Sequence, residues 1–313
     1  MNTATSDIET LSWRGESISR LILGTVQLGM PYGIANTQGQ PDLRVATEIV
    51  ETALAGGVRY FDTAQSYGES EKVLGAVFRE LGVLDQVCIA SKLNVQLDPT
   101  DIPQLDTAIS QSFNRLGVER LWCMMLHRAS WLDYWDHGLG ETLLHWCDSG
   151  RIQHLGVSIA GPAEAVRCLE HPDMEILQVP CNAWDRRLIQ QRVFDTARER
   201  GKLCCVRSIY LQGLLTMSPE AVAQRLPAAR DAAERWHAFC QRHALRPQEA
   251  AMRFALRVQT PLVVGAESPD QLRDTLDLMG KDPFSPELLD ELSQTLDPVL
   301  TEEILEPWHW PNK

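Results

Sequence analysis

A chain of 313 residues, 44% hydrophobic and 23% charged, carries enough apolar material for one large α/β core or two smaller ones, and no Pro-, Ser- or Gly-rich hinge divides it. Its 42 acidic against 29 basic side chains give a net charge of −13, which repels phosphate backbones and anionic lipid and argues against nucleic acid or a membrane as partner. The eight cysteines show no C-x-x-C pair and no ligand-like spacing to histidine, so the reading is a reducing cytosol with no disulfide and no metal site. Residues 1–14 are polar and acidic, without the basic-then-apolar plan of a signal peptide, and no run of about 18 apolar residues exists to span a bilayer. The expected location is the cytoplasm.

Along the chain, two short alternating segments flank Arg14-Gly15-Glu16 and read as a β-hairpin over residues 9–20, placed to plug the floor of whatever follows. A strand at 21–24 comes next, then a long loop over 26–42 with Pro31, Tyr32, Gly33 and Gly39, of the kind that selects substrates. The spacing predicts amphipathic helices over 43–55, 69–80 and 101–116. Helix signatures end in glycine and return directly to a strand at Gly56-Gly57, Gly82, Gly117, Gly150 and Gly201, because glycine accepts the left-handed position that closes a helix. Further strands are predicted at 58–61, 87–91, 121–126, 152–157, 176–179, 203–206 and 261–264.

Eight strands alternating with helices call for parallel pairing and right-handed crossovers, and eight favours closure into a (β/α)8 barrel over residues 21–280. An open doubly wound sheet is the rival, but its G-x-G-x-x-G turn is missing after the first strand, where the chain reads Leu23-Gly24-Thr25-Val26-Gln27-Leu28-Gly29. The whole chain, 1–313, is read as one domain, with residues 281–313 as a C-terminal loop and helix extension. That extension ends in Trp308 and Trp310, which either dock across the barrel mouth or pack on an outer helix.

Six polar residues fall at or near the C-terminal ends of these strands: Asp62, Lys92, His127, Ser158, Gln178 and Arg207. In a barrel they converge on one mouth, where such enzymes keep their chemistry. Asp62, Tyr67 and Lys92 suggest a proton relay: a tyrosine of pKa about 10 is a poor acid at neutral pH, but an ammonium held by a carboxylate stabilises its phenolate. His127 is placed to orient a carbonyl oxygen. Taken singly, Asp62 is more ordinarily a helix cap and Tyr67 a rim side chain with its hydroxyl in water; joint placement shifts the balance. Tyr32, Trp131, Trp135, Trp308 and Trp310 hint at an aromatic rim, with a helix approach as the competing place for Trp131 and Trp135.

The run Gly57-Val58-Arg59-Tyr60-Phe61-Asp62-Thr63-Ala64-Gln65-Ser66-Tyr67-Gly68-Glu69-Ser70-Glu71 resembles the aldo-keto reductase signature G-x-x-x-F-D-T-A-x-x-Y-G-x-S-E, and Ser91-Lys92, Leu126-His127, Gly156-Val157-Ser158, Gln178 and Gln212-Gly213-Leu214-Leu215 follow in that family's order. The resemblance implies a nicotinamide dinucleotide extended over the mouth, Tyr67 as general acid, Asp62 and Lys92 tuning it, and His127 positioning the carbonyl. Ser158 and Gln178 match two of the three residues that hold the carboxamide, whereas the third, an asparagine, is Ile159 here. Arg207 stands where the family places a tyrosine under the nicotinamide, and its planar guanidinium can stack in the same way. Ser208 and Gln212 would face the pyrophosphate, with Gly24 and Thr25 on the other side, and Gly265, Glu267 and Gln271 would line the adenosine end. Tyr32 and Trp308 are the substrate contacts. Members that take NADP place a cation near 265–268; this chain has Glu267, which repels a 2′-phosphate and accepts from free ribose hydroxyls, so the expectation leans from NADP toward NAD. The alternative in which Glu267 faces solvent and Arg273 supplies the missing charge stays open. So do two other functions, a Schiff-base aldolase using Lys92 and a cofactor-binding regulatory protein working through partner contacts.

Overall fold

A computed structural model describes residues 8–310. The outer ends of the 1–313 domain reading, including the first half of the leader segment at 1–14, lie outside the described residues. β1 (Thr10–Trp13) and β2 (Glu16–Ser19) form an antiparallel hairpin, followed by β3 (Leu21–Gly24), β4 (Tyr60–Asp62), β5 (Cys88–Lys92), β6 (Leu121–Leu126), β7 (Ile152–Ser158), β8 (Ile176–Pro180), β9 (Leu203–Arg207) and β10 (Leu262–Gly265). These last eight close a parallel barrel in the order β10-β3-β4-β5-β6-β7-β8-β9. Helices intervene between the strands, so the chain is a (β/α)8 TIM barrel with a hairpin before it.

Alternation along each strand divides the apolar residues into two cores. Leu21, Leu23, Phe61, Ile89, Met124, Leu177 and Val206 face the surrounding helices. Ile22, Tyr60, Ala90, Met125, Ile176 and Cys205 join a separate inner cluster that includes Ile18 of the hairpin. Because side chains two residues apart share a face, the next inward positions are Gly24, Asp62, Lys92, His127, Gln178 and Arg207. Period two thus stacks an apolar floor beneath a polar mouth.

The hairpin seals the floor from below, as the sequence predicts. Its turn is tighter than expected: Arg14 (φ 48°) and Gly15 (φ 82°) form a two-residue connection, and Glu16 already belongs to β2, paired with Trp13. Glu16 accepts from the Trp122 indole at 2.9 Å and meets His154 Nε2 at 2.6 Å. The polar side chains below the inner cluster are therefore bonded to one another.

Helix ends follow local chemistry. Asp42 and Asp101 accept from Val45 and Gln104 backbone N–H groups, and Ser218, Ser268 and Ser285 cap helices that open with Pro219, Pro269 and Pro286. Gly82, Gly117, Gly150 and Gly201 all hold positive φ, whereas at the first return it is Gly57 (φ 83°), not Gly56 (φ −82°), that turns left-handed. The return is not always direct. A 3-10 turn over Leu84–Gln86 separates Gly82 from β5, and β6 begins four residues after Gly117. In the C-terminal extension, helix Pro286–Leu296 packs on helix Arg230–Arg242, Arg186 pairs with Asp297, and Arg187 binds Glu306 at 2.9 Å. Trp131 and Trp310 belong to the outer core and Trp135 packs against it, so these three take the packing alternative to the rim. The Trp310 indole donates to the Ile304 carbonyl at 3.1 Å, which lets a buried N–H be satisfied there.

Candidate active site

The barrel mouth opens into a cavity of about 1050 Å³ reached by Asp62, Tyr67, His127, Ser158, Gln178 and Arg207. Lys92 lies just beneath it, fully buried, and its ammonium is bonded three times: to Asp62 Oδ1 at 2.7 Å, to Asp62 Oδ2 at 2.8 Å and to the Thr63 carbonyl at 2.8 Å. Gln178 Nε2 adds a 2.7 Å bond to Asp62 Oδ1. Burial opposes the charge on Lys92, but the Asp62 carboxylate and then the Tyr67 phenol outweigh it and hold the lysine above its ordinary value. The nitrogen stands 4.9 Å from the centre of the Tyr67 ring. Held by Asp62 and Thr63, Lys92 meets the phenol through its charge and a hydrogen bond.

Tyr67 and His127 meet edge to face, ring centres 5.8 Å apart, and His127 Nδ1 is 3.2 Å from Ser66 Oγ. Burial, then Lys92 and Arg207, push His127 down to about 3. It is therefore a neutral imidazole at physiological pH, able to donate or accept but not to serve as a cation. Tyr32 is pushed up to about 12, first by burial and then by Tyr67, with Arg207 opposing, so it stays a phenol that can only share its proton.

Backbone close approach fixes the Tyr67 loop. A side chain on Gly29 would run into the Tyr67 carbonyl oxygen and fall 2.7 Å from Ser70 Cβ, while Gly68 (φ 54°) lies against the Gly29 carbonyl. Ser70 Oγ lies 2.8 Å from Thr25 Oγ1 and 2.9 Å from both Thr63 Oγ1 and the Thr25 carbonyl; buried Glu71 ties Ser91 and Arg115 at 2.6 Å each. Much of the signature that drew attention to Tyr67 is thus scaffolding for it. Gly29→Ala is expected to cut turnover at least about tenfold, since a displacement near 1 Å at reacting groups carries costs of that order or larger. Steady-state kinetics on folded variant checks this, and an unchanged kcat would show that the loop yields without moving Tyr67.

The remaining predicted contacts are distributed around the same cavity. Gly24, Thr25, Ser208, Gln212, Gly265, Glu267 and Gln271 line it, as do Tyr32 and Trp308. Thr25 is fully buried, with its hydroxyl 2.8 Å from the Asp62 carbonyl it donates to. Arg207 donates to Ser208 Oγ and to the Ile159 carbonyl, both at 3.0 Å. Left-handed backbone at Ser208, Leu211, Gln212 and Gly213 wraps the β9 loop round the cavity wall. Glu267 faces the cavity, its carboxyl raised by burial and eased by Gln271, whereas Arg273 pairs with Asp270 in solvent and is no part of the lining.

Sequence reasoning missed Gln27 and Tyr210. Gln27 lines the cavity, yet its side-chain oxygen is buried and has no hydrogen-bond partner. Its amide fills the space a Cβ at residue 265 would need, with Nε2 at 2.6 Å from that position, so Gly265 is bare to admit Gln27. Tyr210 is raised by burial and then by Asp274, and lines the same end. Among the described residues no group of three His, Cys, Asp or Glu side chains gathers as metal ligands would, and no helix is long and apolar enough to cross a membrane.

Comparison with known proteins bears on family and fold. The profile of the Aldo/keto reductase family matches residues 20–297. The chain is 24% identical to aldo-keto reductase YhdN of Bacillus subtilis (strain 168) over 212 residues, covering 64% of this chain and 61% of that protein, so the match spans about three fifths of the relative's length. It is 22% identical to L-glyceraldehyde 3-phosphate reductase of Escherichia coli O157:H7, covering 88% of this chain and 90% of that one. Among solved structures, an aldo-keto reductase from Bacillus halodurans in its holo form superposes with a TM-score of 0.75 at 20% identity, covering 96% of this chain and all of the other. The glycerol dehydrogenase of Gluconobacter oxydans gives 0.73 at 19%, covering 99% and 98%.

Proposed function

The chain belongs to the aldo/keto reductase family of oxidoreductases, which act on carbonyl and alcohol groups, and from that footing we propose an NAD(P)-dependent enzyme that interconverts the two with Tyr67 as general acid. The observation that carries the reading is a buried Asp62–Lys92 pair set beneath Tyr67, with a neutral His127 beside the phenol, at the base of one large cavity. The residues fit a dinucleotide. In support, Gln27 keeps a buried acceptor without a partner, Ser158 and Gln178 bring polar side chains to the cavity wall that suit a carboxamide, and the Ser208 to Gly213 loop offers backbone beside Arg207 for phosphate.

When bound, the nicotinamide supplies or accepts the hydride. The protein's part is the proton and the geometry. In the reductive direction His127 donates to the carbonyl oxygen and orients it, and Tyr67 delivers the proton as charge builds there. Lys92, held charged by Asp62, stabilises the phenolate left behind. Tyr32 and Trp308 bound the substrate from the rim. A Schiff base on Lys92 is disfavoured, because a fully buried ammonium bonded to a carboxylate and a carbonyl is a weak nucleophile outside the cavity lining.

Glu267 favours NAD over NADP, since a carboxylate against a 2′-phosphate is repulsive and no cation pairs with Glu267 among the described residues. Fluorescence titration with NADH and NADPH, followed by a panel of aldehydes and ketones, tests both levels. NADH binding at least as tightly as NADPH supports the preference; NADPH tighter by about 100-fold, or about 2.7 kcal/mol, overturns it. Failure to bind either dinucleotide overturns the enzyme assignment itself.

A further inference from the structure

Charge is unevenly spread over the cavity wall. Glu267, Asp270 and Asp274 crowd the end beside β10, whereas Arg207 closes the neighbouring β9 and Arg128 follows His127 past β6. Arg207 is tied to Ser208 and to the Ile159 carbonyl. Arg128, directly after His127 in the β6 loop, is exposed and reaches the cavity, with Ser130 beside it on the same wall. Among the described residues neither arginine forms an ion pair, although most arginines of this acidic chain do. Both arginines, together with Lys92, act on His127 as cations. Away from β10 the carboxylates lining the cavity among the described residues are Asp62, held by Lys92, and Glu164, engaged with the Ala160 backbone N–H at 2.6 Å.

We propose that Arg128 is a specificity residue that selects a small carbonyl substrate bearing an anionic group, a carboxylate or a phosphate, a short distance from the reacting carbon. This rests on the carbonyl reductase reading above and names the substrate class for that site. Arg128 follows His127 past β6, three strands round the barrel from Arg207 at the end of β9, so the two cations serve different ends of the reaction complex. Arg207 faces the dinucleotide, and Arg128 remains for the substrate. A guanidinium that forms no ion pair among the described residues offers a paired fork to either anion, and Ser130 adds a hydroxyl. The acidic far wall repels the same anion and sets its orientation.

Matched substrates test this: 4-oxobutanoate against butanal, and glycolaldehyde phosphate against glycolaldehyde, with wild type, Arg128→Gln and Arg128→Lys. The expected result is kcat/KM in wild type higher for one or both anionic members by about 10- to 100-fold, lost in Arg128→Gln through KM, partly restored in Arg128→Lys, and weakened by salt, with butanal turnover unchanged. The pair that shows the preference separates carboxylate from phosphate. Equal turnover of charged and uncharged members in wild type, or an equal fall for both in Arg128→Gln, overturns the inference while leaving the reductase reading intact. If no carbonyl is turned over, the reductase reading fails first, and calorimetric titration with succinate still reads the site: weaker binding to Arg128→Gln than to wild type supports an anion site, and equal binding overturns it.

Discussion

Tyr67→Phe is expected to lower kcat for carbonyl reduction by about 100- to 10,000-fold while the Kd for NADH stays within about threefold of wild type. The change removes one oxygen and leaves a ring of nearly the same shape, so the edge contact with His127 at 5.8 Å and the Lys92 charge at 4.9 Å from the ring centre keep their partners. What disappears is the proton. His127, pushed down to about 3, is neutral and much too weak an acid in its imidazole form to replace it. Single-turnover and titration experiments on the same preparation separate the two quantities. Loss of cofactor binding along with turnover would make Tyr67 a structural residue, and undiminished turnover would give the proton to another group. A protein that worked only as a cofactor-binding partner of something else would show no carbonyl turnover even before the substitution.

The barrel and its polar mouth were legible because both rest on local rules. Strand and helix periods, the glycine returns and the i, i+2 step from Ile22, Tyr60, Ala90, Met125, Ile176 and Cys205 to the mouth residues are all written in short windows. Beyond local windows the sequence signals fade. Arg14-Gly15 closes the hairpin one residue earlier than expected because two left-handed residues suffice for the strand twist. Trp131, Trp135 and Trp310 carry the same chemistry as Trp308, and only the path of the chain decides that three are packed and one meets the cavity. Gln27 sits in a polar-looking loop and gives no pattern signal; its importance lies in Gly265, over 200 residues away, having no side chain. A polar residue opposite a strand-end glycine across a β3–β10 seam is the one cue that reading the two segments side by side would have offered.

Lys92→Met should be the most destabilising substitution at the site, by about 3–5 kcal/mol, because it strands a carboxylate in the protein interior. Asp62 is only 4% exposed, and without the ammonium it keeps Gln178 as its side-chain partner. The double variant Asp62→Asn, Lys92→Met removes both charges and should regain most of that loss, since an apolar or neutral replacement of a buried pair is often nearly neutral. Activity should not return with it, as the phenolate at Tyr67 still lacks its cation; stability and catalysis therefore separate in one cycle. The pH dependence has a definite sign. Lys92 is raised in the folded state, so its contribution is complete below the ordinary lysine value of 10.5 and is lost as pH climbs from there through the elevated folded value. Denaturant melts across alkaline pH should show wild type losing stability relative to Lys92→Met in that window. A double variant as unstable as Lys92→Met, or one that recovers turnover, would show that the pair serves neither the fold nor the phenol in the way its geometry implies.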